Sequence, residues 1–91
     1  MSEHDYLLGP KPVRPLHAIA AEICAAHNVR PADFFSNRRI RQYAWARQEY
    51  CYRARQETSA SYPEIAALLK WDHTSAMYAV WRYEQRLANN L

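Results

Sequence analysis

From Ser59 to Gln85 the chain reads SASYPEIAALLKWDHTSAMYAVWRYEQ, two amphipathic runs joined by a short polar junction. In the first run Ser61 stands three residues before Glu64 with Pro63 between them, a capping arrangement that accepts proline in the first helical turn. Ile65, Ala66, Leu68 and Leu69 then give this short helix a buried face. Lys70-Trp71-Asp72 predicts a tight turn. The second run carries Ala76, Val80, Tyr83 and Leu87 at spacings of four, three and four, which is one face of a longer helix. A short helix, a tight turn and a longer helix together predict a helix-turn-helix.

Upstream the same period continues. Leu16, Ile19, Ala20, Ile23 and Ala26 predict a helix from about Pro15 to Asn28, with Pro15 tolerated at its start. Pro31 opens a short helix in which Phe34 and Phe35 are expected to pack inward. Asn37-Arg38-Arg39 has no apolar period and reads as a loop. A helix from about Ile40 to Thr58 follows, with Ile40, Ala44, Cys51 and Ala54 expected near its buried face and Trp45 in the core. No strand-like alternation is present. The fold is therefore expected to be all-α, a compact helical domain of about five helices over residues 13–91. Residues 1–12, which hold the only glycine and two prolines, read as a flexible N-terminal arm.

With 91 residues, 49% of them apolar, and no long apolar run or signal-peptide pattern, the chain is expected to be a single soluble domain in a cytoplasm, without contact with a membrane. Cys24 and Cys51 lie in separate helical patterns and read as buried thiols. Cys24 and His27 could reach one metal ion across a helical turn, but no second pair of ligands has suitable spacing, so no metal is expected. The net charge is only +3, yet Arg38, Arg39, Arg41, Arg47, Arg53 and Arg55 fall within eighteen residues that contain one acid, Glu49. So dense a basic field suits an anionic partner, although a solvated arginine face would carry the same letters.

Asp72, His73, Thr74 and Ser75 stand at the start of the second helix of the helix-turn-helix. There their side chains would face the major groove, where hydroxyls donate or accept, the threonine methyl meets a thymine methyl, and an Asp accepts from cytosine. Asp72 also has the side chain of an N-cap, and the two roles are compatible. A catalytic Asp-His-Ser set is not supported, because neighbours on one helical turn do not point at a common centre and no glycine-rich oxyanion turn accompanies them. No enzymatic activity is expected.

Three segments at their joint spacing resemble a known family. SNRRIRQYAWARQ at 36–48, YPEI at 62–65 and DHTS at 72–75 are similar to the C-terminal DNA-binding domain of the bacterial replication initiator DnaA, its domain IV, a Trp-repressor-like helix-turn-helix. The likeness covers roughly residues 13–87. It implies a minor-groove arginine at Arg39 within a basic loop that also holds Arg38 and Arg41, and contacts to the DNA backbone from Arg47 and Gln48. It implies a thymine-methyl contact at Pro63, major-groove readers at Asp72, His73 and Thr74, and phosphate contacts from Ser75 and Arg82. Departures are visible too: KWDH is one residue shorter than the family's G-G-R-D-H, Ala66 replaces a glycine, and Tyr78 replaces a usual histidine.

The initiator's ATPase module has no counterpart here, since these residues contain no G-x-x-x-x-G-K-[ST] loop. Neither nucleotide nor cofactor is expected. The resemblance implies sequence-specific binding to double-stranded DNA in the nucleoid, as a transcription regulator or the DNA-binding part of one, of the kind found in phage or gene-transfer-agent loci. RNA polymerase or another regulator would be its protein partner. A different class of function is a helical protein-interaction module that docks through exposed Trp45, Trp71 and Trp81. Ionic strength separates the two, because arginine-phosphate binding weakens steeply with salt and an aromatic interface does not.

Overall fold

Tyr50 has no solvent exposure, and the fold is built around it. In the computed structural model, which describes residues 15–89, its ring meets Phe34 edge-on with centroids 5.9 Å apart, and its hydroxyl donates to the Ile65 carbonyl at 3.0 Å. One side chain thereby ties together three of the five helices of the described residues: α1 (Leu16–His27), α2 (Pro31–Phe34), α3 (Arg41–Glu57), α4 (Tyr62–Leu68) and α5 (His73–Asn89). Burial and desolvation push the Tyr50 phenol above its ordinary value, so it stays a neutral donor. The described residues include no strand, and the fold is all-α as the periodicity predicts. The expected arm, residues 1–12, lies outside the described residues.

α3 is the central element and packs against each of the other four helices, while α4 and α5 also pack on each other. Ile19, Ile23, Phe34, Cys51 and Ile65 are fully buried around Tyr50. Each such side chain contributes roughly 1.5–3 kcal/mol relative to exposure. Side-chain contacts hold α1 to α3. Arg53 donates to Glu22 at 2.7 Å while also donating to Glu57 on its own helix, and His27 Nε2 lies 2.6 Å from Glu49 Oε1.

The helix ends follow local rules. Asn28 takes a left-handed φ of 56°, and the Val29 N–H reaches back to the Cys24 carbonyl at 2.9 Å, closing α1 in a Schellman motif. Ser61 and Glu64 form the expected capping box, each side chain serving the other's backbone N–H. After α4 the motif of α1 recurs. Lys70 adopts φ 60°, its N–H donates to the Ala67 carbonyl, and the Trp71 N–H returns to the Ala66 carbonyl, both at 3.0 Å. This is how the shortened turn is made: a lysine occupies a conformation that glycine takes more readily, and Trp71 packs against the core as the closing hydrophobe.

Three expectations about burial are corrected. Ile40 and Ala44 do not form the inner face of α3; Ala46, Arg47, Tyr50, Cys51 and Ala54 do, because positions at spacings of three and four share one face of a helix, and here that face is the one carrying Tyr50 and Arg47. Trp45 is 42% exposed, not core, and lies between the guanidinium groups of Arg41 and Arg86 at 5.9 and 4.7 Å from its ring centre. Of the phenylalanine pair, Phe34 turns inward and Phe35 stays at the surface beside His17, since adjacent residues on a helix face different ways.

Candidate nucleic-acid interface

The loop after α2, the start of α3 and the first turns of α5 enclose a recess of about 750 Å³. Of the residues singled out in the sequence, Arg39 and Arg41 enter it from the loop side, Arg47 and Gln48 from α3, and Asp72, Thr74 and Ser75 from α5. Residues more than thirty positions apart thus share one concave surface. Arg38, Pro63, His73 and Arg82 are exposed but lie outside its lining. His73 stands at the first position of α5, Pro63 in the first turn of α4, and Arg82 farther along α5.

The α5 end is built by its cap. Asp72 Oδ1 accepts the Ser75 N–H at 2.8 Å, the bond expected between an N-cap carboxylate and the third helical residue. The Ser75 backbone, then the Ser75 hydroxyl, hold the Asp72 carboxyl below its ordinary value, and nearby His73 and the Thr74 N–H act in the same direction. With Asp72 turned to its own backbone, His73 and Thr74 remain exposed on the first turn.

The loop end is built by Arg47. Its side chain is only 6% exposed, and its guanidinium donates to four carbonyl oxygens. Nε reaches Phe34 at 2.8 Å, Nη1 reaches Arg38 at 3.0 Å, and Nη2 reaches Asp33 at 2.9 Å and Ser36 at 2.8 Å. Burial lowers its pKa below the ordinary arginine value, the carbonyls take four of its five N–H donors, and Tyr43 lies 6.0 Å from the guanidinium carbon. Most of the Arg47 donors thus shape the loop, while the residue also lines the recess. Ser36 completes the turn, donating to the Asp33 carbonyl at 2.7 Å and accepting from the Arg38 N–H at 3.2 Å.

The six clustered arginines therefore have separate fates. Arg53 is paired with two glutamates, and Arg55 lies over the Tyr62 ring at 4.4 Å while donating to the Ala60 carbonyl. Arg38 keeps a loose 3.9 Å contact with Asp33. Among the described residues, no carboxylate pairs with Arg39 or Arg41, which leaves them as the open cations of the recess. The sequence reading missed Ser36, Asn37, Trp71 and Tyr78 in its lining. Tyr78, 58% exposed, could have been found as the residue four on from Thr74, on the same helical face. Among the described residues, no group of three or more His, Cys, Asp or Glu is placed to hold a metal ion, and no helix is long and apolar enough to cross a membrane.

Comparison with known proteins places this geometry in context. The family model for the bacterial dnaA protein helix-turn-helix matches residues 16–82. The chromosomal replication initiator protein DnaA of Rickettsia akari is 30% identical over 88 residues, which is 96% of this chain and 19% of the relative. The protein of the same name from Ruegeria sp. is 37% identical over 68 residues, 74% of this chain and 14% of the relative. That from Thermoanaerobacter sp. is 36% identical over 61 residues, 67% and 14% respectively. The chain thus spans less than a fifth of the length of these relatives. No solved structure gives a significant match.

Proposed function

Because the chain belongs to the family of bacterial DnaA helix-turn-helix domains, we propose that it binds double-stranded DNA at a specific sequence and acts as a transcription regulator, or as the DNA-binding part of one. The observation that carries this reading is the recess that brings Arg39 and Arg41, which no carboxylate of the described residues pairs, together with Thr74 and Ser75 at the capped start of α5. α4, the Lys70-Trp71 turn and α5 form the helix-turn-helix. The N-terminal end of α5 enters the major groove, with His73 and Thr74 at base edges.

Arg39, presented by the Arg47-held loop, enters the neighbouring minor groove, whose negative potential draws a guanidinium. Arg41, Gln48 and Ser75 meet phosphates along the wall of the recess, and Arg38 and Arg82 do so at its margins. Pro63 lies in the first turn of α4, where it touches a thymine methyl. Arg47 acts indirectly, by fixing the loop that carries Arg38 and Arg39.

A second reading is favoured by one observation. Trp45 and Trp81 are 42% and 51% exposed, and Tyr78 stacks on Trp81 with ring centres 5.7 Å apart, a surface that RNA polymerase or another regulator could cover. Selection of bound duplexes from a random library, followed by titration at two salt concentrations, tests the DNA reading. An enriched motif bound with steep salt dependence supports it. No enrichment, with affinity flat in salt, overturns it and favours the aromatic docking surface.

A further inference from the structure

We infer that Arg86 is a positioning residue that fixes the polarity of the Gln48 amide at the DNA-facing recess; this rests on the duplex-binding reading above. The two residues lie 38 positions apart, on α5 and α3, and meet through a 2.7 Å hydrogen bond from Arg86 Nη1 to Gln48 Oε1. A side-chain amide has a donor end and an acceptor end of nearly equal size, so its orientation follows from its partners. A guanidinium has donors only. Beside Arg86, the oxygen of Gln48 must face the guanidinium, and the NH₂ group is left for the recess that Gln48 lines.

Arg86 is itself held in place. Its guanidinium carbon lies 4.7 Å from the Trp45 ring centre and 5.0 Å from that of Tyr83. Two aromatic faces thus fix the plane of a residue near the end of α5, and that plane sets the amide. The recess side of Gln48 then offers only N–H donors, next to Arg41 and Ser75. An amide edge that only donates, beside the Arg41 guanidinium, matches the acceptor-only oxygens of a phosphodiester. An amide turned the other way would present its oxygen to them and repel.

The test is a double-mutant cycle on a duplex selected by the parent protein, with Arg86→Met, Gln48→Ala and the pair titrated at several salt concentrations beside melting curves. Arg86→Met keeps an unbranched stem over Trp45 and Tyr83 and removes every donor. It is expected to lose about tenfold in affinity, with the parent's salt slope, and to add little in the Gln48→Ala background. Arg86→Lys, which retains a donor, should recover most of the loss. Full additivity, or a slope lower by about one unit, would make Arg86 a direct phosphate ligand and overturn the positioning role.

Gln48→Glu keeps the partner of Arg86 but has no donor for the recess. It should melt no lower than the parent and still bind weakly; binding as tight as the parent's overturns the inference, even if Arg86→Met fails to fold. A parent that binds no duplex removes the DNA reading and this one together, whereas a parent that binds beside variants that match it removes this one alone.

Discussion

His73 and Thr74 have no load to carry in the fold, and their substitution therefore separates recognition from stability. Each replaced by Ala should cost about 1–3 kcal/mol on the preferred duplex, with nonspecific binding and melting nearly unchanged, in paired titrations on selected and scrambled DNA. Asp72 is the converse. Asp72→Ala should lower the melting temperature, because the Ser75 N–H loses its acceptor. A carboxyl whose folded value lies below its ordinary 3.8 contributes stability that is present above the unfolded value and lost as pH falls through the folded one. The parent's melting temperature should accordingly fall on acidification below that value, and less so in Asp72→Asn, which keeps a capping oxygen that does not titrate there. Arg39→Ala should weaken binding most on sites with A·T-rich flanks, and equal loss on G·C-rich flanks would count against minor-groove insertion. The cap at Asp72 was legible in sequence because it depends on the next three residues. The burial of Arg47 was not, because its four carbonyl partners come from residues nine to fourteen positions away.

At the scale of elements, the turn between α4 and α5 has a measurable weakness. Lys70 holds a left-handed φ of 60°, which costs an L-residue roughly 1–2 kcal/mol, of which the extra chain freedom of glycine would offset about half. Lys70→Gly should therefore raise stability by about 0.5–1 kcal/mol in chemical denaturation, while Lys70→Val should lower it. The five helices of the described residues could be read from spacing, proline positions and caps, each a local signal. The inner face of α3 could not. Its buried positions are spelled Ala46, Arg47, Tyr50, Cys51 and Ala54, and only contact with α1, α2 and α4 makes a tyrosine and an arginine core residues there. The same cause misplaces Trp45, whose exposed ring is covered by arginines of two helices.

For the whole molecule, the split among the arginines predicts the response to salt. Binding should weaken steeply with ionic strength, and Arg39→Ala or Arg41→Ala should each lower the slope by about one unit. Arg47→Lys should leave the slope near the parent's and cost on the order of 3 kcal/mol in folding, because one ammonium cannot serve four carbonyls spread around a guanidinium. The recess gathers seven of the eleven residues expected at the site, so its composition was largely legible, whereas its depth follows from how α5 lies on α3. The buried guanidinium also bears on the thermodynamics of association. A loop already shaped by four internal hydrogen bonds meets the minor groove without an ordering step, so complex formation should show the modest heat-capacity change of rigid docking. Loosening that loop with Arg47→Lys should make calorimetric binding entropy less favourable and the heat-capacity change more negative, the signature of a segment that takes its shape only on the DNA.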